Sequence, residues 1–232
     1  MLNWHKSLFE ALRKPGASRI LTFSEIVEKA EKERKGINAK SVRSFVKNAE
    51  SAGLLKVARQ GLWLNMGATP SPSLAEAAQR MRSGSVVSLQ SVLGDAGVLN
   101  NFSSQVYAVI PVREGSANPA TGSIIAGGTI FHFKAISERI LEGGERHDRL
   151  AMTYYPRATA EAALIHWIYL AMSKGSSMKM PDTQCDVSML DMDRLERLAD
   201  IAGVKEATFD WIERCREREE LDDEQSGWHG PA

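Results

Sequence analysis

The sequence predicts an α+β protein, and three features of it carry that prediction. Residues 38–65 read as a capped helix followed by a two-stranded hairpin. A helix, a short strand and a second helix precede them, so the order is helix, strand, helix, helix, hairpin. Beyond a Pro/Ser/Gly-containing stretch at 66–73, apolar β-branched runs alternate with longer helical patterns. The reading is an N-terminal winged helix-turn-helix domain over residues 1–68 and a mixed α/β C-terminal domain over 69–220. An acidic tail over 221–232 is expected to fray.

Residues 3–13 place Trp4, Leu8, Ala11 and Leu12 on one stripe, and Pro15-Gly16 ends that helix. Arg19-Ile20-Leu21 has the character of a short strand able to join a later hairpin. Thr22 or Ser24 then opens a second helix to about Lys32, with Ile26, Val27 and Ala30 facing inward. In the third helix Asn38 is placed to cap the free N–H groups, and Gly53 supplies the left-handed residue that closes it. Val42, Phe45, Val46 and Ala49 recur at i, i+3, i+4 and i+7, which defines one buried face.

The opposite face of that helix carries Lys40, Ser44, Lys47 and Ser51, with Arg43 at its edge and no acid before Glu50. The runs 54–58 and 62–65 flank Arg59-Gln60-Gly61, where glycine suits a tight turn. An α-helix fits the major groove of DNA, short polar side chains reach base edges, and Lys and Arg neutralise phosphates. Lys40, Ser41 and Ser44 are therefore assigned to base edges. Arg43, Lys47 and Arg59 are assigned to phosphates, with Gln60 beside Arg59 at the hairpin tip.

In the second part, Ser73 and Glu76 have capping-box spacing and open a helix that ends by Gly84. Residues 86–89 lead into a short helix through Val92 and Leu93 that Gly97 terminates. Strands are predicted over 105–112, 123–126, 129–134 and 150–155. Thr159 is placed to cap a long apolar helix over 160–172, the expected spine of the second core. Helices over 191–202 and 204–218 follow, split at Gly203.

Composition narrows the function classes. The formal net charge of zero hides an asymmetry: residues 1–66 hold 13 Lys and Arg against 6 Asp and Glu, a net of +7, and the remainder holds 16 against 23, a net of −7. A basic head on an acidic body points to nucleic acid at one end. Cys185 and Cys215 lie 30 positions apart, outside any metal-ligand spacing, and are expected as free thiols of a cytoplasmic protein. No apolar run approaches a membrane span, so no membrane partner is expected.

Two segments of the second part resemble a known family. Residues 85–99, SVVSLQSVLGDAGVL, and 157–170, RATAEAALIHWIYL, are similar to the two signatures of the AbiEi family, the antitoxins of abortive-infection type IV toxin–antitoxin systems. Ala162 stands where the family's signature has Lys, and His166 where it has an acid. The resemblance implies a repressor that binds inverted repeats in its own promoter through its N-terminal domain, as a homodimer or paired copies on DNA. It further implies a C-terminal domain that counteracts a nucleotidyltransferase-like toxin, with no stable complex required.

Catalysis is not expected. His5, His132, His147, His166 and His229 fall at no metal-ligand spacing, and His132, between Phe131 and Phe133, is expected to pack or face solvent. Ser88 lacks a G-x-S-x-G context, and a Glu161/His166 dyad is disfavoured by spacing; Glu161 is read as a first-turn acid. No phosphate-cradling glycine motif occurs, so no catalytic residue, metal or cofactor is assigned. The alternative is a stand-alone winged-helix regulator whose C-terminal domain binds a small effector.

Overall fold

A computed structural model describes residues 3–100, 104–117, 119–142 and 153–226. The chain divides into two compact units, Met1–Met81 with Ile125–Thr129, and Arg82–Ile124 with Ile130–Ala232. Both helices and sheets are present in separate arrangements, which makes the fold α+β.

Unit 1 contains α1 (Asn3–Arg13), β1 (Ile20–Thr22), α2 (Phe23–Glu33), α3 (Ala39–Ser51), β2 (Leu55–Arg59) and β3 (Leu62–Asn65), followed by a 3-10 turn, Leu74–Ala77, and the single-turn α4 (Ala78–Met81). Thr22, rather than Ser24, caps α2: its backbone N–H donates to Glu25 Oε2 at 2.6 Å, and its hydroxyl accepts from the Glu25 N–H at 3.3 Å. The choice follows from Glu25 lying three residues after Thr22, the spacing of a capping box. The three strands form one antiparallel sheet in the order β1-β3-β2, with Ile20 opposite Leu64 and Leu55 opposite Asn65. Leu8, Leu21, Ile26, Val42 and Phe45 are fully buried at the centre of the unit.

Asn65 locks this unit from the inside. Its amide nitrogen donates to the carbonyls of Leu12 at 2.8 Å and Ser18 at 3.0 Å, and its Oδ1 accepts from the Gly67 N–H at 3.1 Å. The residue is fully buried, so it ties the end of α1, the approach to β1 and the exit of β3 to one another without water. A Cβ at Gly67 would stand 2.6 Å from Leu54 Cδ1, so any side chain there requires that leucine to move. Further on, Glu76 accepts from the Ser73 N–H at 2.9 Å and grips the Arg19 guanidinium through two 2.8 Å bonds. This part-buried, two-pronged ion pair fastens the 3-10 turn to the start of β1.

Unit 2 contains β4 (Val86–Val87), α5 (Gln90–Asp95), β5 (Val106–Val112), β6 (Gly122–Ala126) and β7 (Thr129–Ser137) except for their shared turn end at Ile125–Thr129, α6 (Glu138–Glu142), α7 (Ala160–Met172), a 3-10 turn at Val187–Met189, α8 (Met192–Ala202) and α9 (Lys205–Ser226). The sheet order is β4-β5-β7-β6, with β4 antiparallel and β7 parallel to β5. Chain leaving β5 thus forms the outer strand β6 first and returns as β7 between them. Phe131 and Phe133 point to the covered face and are fully buried, whereas Ile130, His132 and Lys134 alternate with them and stay half-exposed.

Thr159 caps α7 as expected, accepting from the Ala162 N–H at 3.2 Å. Burial runs all round this helix, from Ala163 and Leu164 to Trp167 and Ile168, which makes it the centre of the second core. Glu161 is buried too, and it accepts from the Asp191 N–H at 3.1 Å and from Arg194 at 3.4 Å, so it joins α7 to the start of α8.

Two expectations fail in this unit. Of the strand expected over 150–155, residues 150–152 lie outside the described residues and 153–155 form a bend; the backbone pairs instead at Arg157, bridged to Val87. Pro156 explains the shift, since its ring fixes the backbone and removes a donor just where a strand would continue. At the C-terminus α9 continues through the acidic stretch to Ser226, and the remainder of the tail lies outside the described residues.

Replacing Asn65 with Ala leaves two buried carbonyls and one N–H without partners. The expected cost is about 3 kcal/mol of stability, because each orphaned buried group forfeits roughly 1–3 kcal/mol with incomplete additivity. Urea denaturation followed through tryptophan fluorescence measures it, and an unchanged midpoint would contradict the role given to this side chain.

A candidate nucleic-acid interface on α3

Helix α3 is bounded as the sequence predicts. Asn38 Oδ1 accepts from the Ser41 N–H at 2.8 Å. At the other end Gly53 adopts φ 69°, the Leu54 N–H reaches the Ala49 carbonyl at 2.9 Å and the Gly53 N–H the Glu50 carbonyl at 2.9 Å. This pair of bonds is a Schellman closure, which only a left-handed residue permits without strain. Val42, Phe45, Val46 and Ala49 are all buried. Phe45 alone meets three rings of α1, Trp4 at 5.8 Å, His5 at 5.4 Å and Phe9 at 5.1 Å between centroids. Edge-on contacts of this kind fix the rotation of a helix about its axis.

With that face inward, Lys40, Arg43, Ser44 and Lys47 are exposed together along the other. Ser41 is half-buried, and its backbone rather than its side chain serves the cap. The Arg43 guanidinium lies over the Phe23 ring, 5.4 Å from its centroid, which orients the charge beside the first residue of α2. Glu50, the single acid of α3, accepts a hydrogen bond from the Trp63 indole N–H. The helix is thus tied to β3, and the carboxylate is turned to a partner of its own.

Arg59 and Gln60 are exposed at the end of the β2–β3 hairpin, where Gly61 takes φ 80°. Strict alternation from buried Leu55 would turn Arg59 inward. A register shift between Val57 and Arg59 resets the phase, so Ala58 is buried while Lys56, Val57 and Arg59 face out. Lys56 was absent from the sequence-based set of candidate residues. Its signal was the position next to buried Leu55, which simple alternation turns outward.

In unit 2 the two segments that carry the family resemblance meet. Val87 exchanges backbone hydrogen bonds with Pro156 at 3.0 Å and Ala158 at 2.9 Å, and Arg157 pairs with Asp95 at 2.8 Å. Ser88 Oγ and His166 Nδ1 are 2.8 Å apart, a contact that 78 intervening positions hid from sequence reasoning. Leu89, which follows, holds φ 56° while fully buried, a conformation that turns the chain directly from β4 into α5. Both members of the Ser88–His166 pair are at most 1% exposed, so the contact is an internal bridge closed to a substrate.

A second histidine contact lies on the open face of the sheet. Gln105 Oε1 accepts from the Tyr107 hydroxyl at 2.9 Å and from His132 Nε2 at 2.8 Å, which leaves His132 Nδ1 to accept from Ser123 Oγ at 2.8 Å. Burial, with Lys134 nearby, holds the His132 imidazole below its usual pKa and so neutral. Among the described residues no group of three or more His, Cys, Asp or Glu is placed to hold a metal ion. No helix among them is long and apolar enough to cross a membrane.

The class that this architecture defines is an α+β chain with one unit of helices packed on a three-stranded sheet and a second, helix-covered four-stranded unit. The chain is similar to the solved structure titled "Crystal structure of RV2827C protein from Mycobacterium tuberculosis", with a TM-score of 0.52 and 12% identity, over 92% of this chain and 82% of that one. At that identity the likeness is one of fold alone. No family model matches the sequence. No curated protein matches it either.

The ring cluster behind α3 makes stability depend on pH. His5 is held below its ordinary value of 6.5 by burial. A depressed imidazole contributes stability that is present above pH 6.5 and is lost as pH falls below it through the folded-state value. Glu25, held below 4.5 by its hydrogen bonds to Thr22 despite burial, adds a separate loss at lower pH. Thermal melts between pH 7 and pH 5 should show a falling melting temperature, and His5→Gln should flatten that dependence. An equal slope in the variant would assign it to other groups.

Proposed function

We propose that unit 1 is a winged helix that binds double-stranded DNA with α3 in the major groove and the β2–β3 hairpin as its wing. The observation that carries this reading is the division of α3 into a fully buried apolar face and an exposed face of Lys40, Arg43, Ser44 and Lys47. A helix so divided presents charge and hydroxyls together in the dimensions of the groove. Lys40, Ser41 and Ser44 read base edges, while Arg43, Lys47 and Arg59 contact phosphates with Gln60 alongside. The net charge of +7 over residues 1–66 supplies the electrostatic attraction.

With the resemblance of residues 85–99 and 157–170, the reading becomes an autorepressor and antitoxin. The protein binds an inverted repeat ahead of its own operon, which engages two copies, and its second unit counteracts a nucleotidyltransferase-like toxin. The described residues present no converging set of titratable groups in an open cleft, and the reading assigns no chemistry to the chain.

Fluorescence anisotropy with the DNA upstream of the coding sequence tests the reading. Lys47→Ala should weaken binding to every sequence and lower the slope of log affinity against log salt by about 1. Ser44→Ala should change the preference among sequences with little change in that slope. Full affinity after joint replacement of Lys40, Arg43 and Lys47 by Ala would overturn the assignment of α3. Co-expression with the neighbouring nucleotidyltransferase-like reading frame tests the antitoxin half separately, through rescue of growth.

A further inference from the structure

Four side chains of unit 2 meet on the face of the sheet opposite Phe131 and Phe133. Tyr107 of β5 and His132 of β7 are partners in the parallel register, and their rings stack with centroids 4.6 Å apart and planes at 20°. Gln105 lies just before β5 and Ser123 on β6, the outer strand of the sheet. The Ser91 hydroxyl of α5 accepts from the Tyr107 N–H at 2.7 Å and donates to the Gln105 carbonyl at 3.4 Å, which fixes the start of β5 beneath the cluster.

The protonation of the cluster follows from its hydrogen bonds. Burial raises the Tyr107 pKa, so the phenol keeps its proton and donates to Gln105 Oε1 at 2.9 Å. An amide oxygen only accepts, so His132 Nε2, 2.8 Å from the same atom, carries the ring proton. Nδ1 is left with a lone pair, and the Ser123 hydroxyl donates to it at 2.8 Å. The imidazole, held below its usual pKa, is neutral near pH 7 and able to take a proton. Unlike the enclosed Ser88, Ser123 is exposed, while its histidine is half-buried.

We propose that Ser123 is a nucleophile towards small carboxylic esters, with His132 as its general base and Gln105 as the residue that positions the base. This activity is separate from the DNA-binding reading and does not rest on it. A serine, a neutral imidazole and an orienting acceptor in one hydrogen-bonded line turn an unreactive hydroxyl into a nucleophile. The ring nitrogens are used in the reverse order of the common triad, and the proton still passes to whichever nitrogen is bare. An acyl group suits the surroundings better than a phosphoryl group. The latter needs several cations about its oxygens, whereas Ser123 is met by an imidazole with an amide and a phenol behind it. An outer strand also carries backbone N–H groups that the ladder does not use, the donors that an acyl oxyanion requires.

Ser123 Oγ attacks the ester carbonyl carbon as its proton passes to His132 Nδ1. The bond from that carbon to the leaving oxygen breaks, and the leaving group takes the proton from Nδ1 and departs as an alcohol. Water then attacks the acyl carbon and gives its proton to Nδ1. The bond to Oγ breaks, Oγ recovers the proton, and a carboxylic acid leaves. No electrons are exchanged with a second reagent.

The experiment treats the full chain with p-nitrophenyl acetate, quenches with acid and maps the acetylated peptides. Expected is an acetyl ester on Ser123 that hydroxylamine removes, whereas acetyl amides on lysines survive. Ser116 is an internal control, an exposed serine whose hydroxyl donates to the Arg113 carbonyl, and it should stay unmodified. His132→Ala should slow acetylation of Ser123 by roughly 10²-fold or more, the usual contribution of a placed general base. Gln105→Ala should slow it less, and Gln105→Glu, which keeps an acceptor for Nε2, should recover most of the rate. Ser123 left unmodified while lysines react, Ser116 labelled as fast as Ser123, or an unchanged rate in His132→Ala would each overturn the proposal. The first two outcomes are read on the wild-type chain, so a variant that fails to fold does not leave the matter open.

Discussion

Everything that unit 1 offers to its surroundings depends on the rotation of α3, and Phe45 sets that rotation. A helix with four buried positions in a row at helical spacing has one low-energy orientation, since a turn about its axis would expose Phe45 and bury Lys47. The rings of Trp4, His5 and Phe9 close around Phe45 from α1, so a helix that carries none of the proposed contact residues determines where they point. Asn65 and the Arg19–Glu76 pair then hold the chain ends that flank this cluster.

Unit 2 follows a different rule. Its central helix, α7, is apolar nearly all round, and its buried acid and buried histidine reach partners from distant sequence: Glu161 the Asp191 N–H and Arg194 at the start of α8, His166 the Ser88 hydroxyl. Polar groups placed this deep specify partners by their need for hydrogen bonds, and they constrain which segments can lie side by side. The two stretches that resemble a family signature are held together by such contacts. The resemblance therefore rests on residues that build the interior of this unit.

What was legible in the sequence was what repeats within a few residues. The stripes of α1, α2 and α3, the Asn38 and Thr159 caps and the Gly53 closure all follow from spacing alone, whereas the joining of β1 to the hairpin followed from the order of the elements. Contacts between distant residues were not legible. The meeting of Ser88 with His166 depends on how distant segments pack, and no local pattern encodes it. The bulge in β2 lies between these cases, because one extra residue reverses the inward and outward positions without altering the apolar content that marks a strand.

The bond between Glu50 and the Trp63 indole unites the last turn of α3 with the inner strand of the hairpin. On the proposed reading, a duplex meets the helix face and the hairpin as one piece, joined before it arrives. Little freedom is then left to surrender on contact, and the selection would extend to the spacing between adjacent grooves as well as to the charge within them.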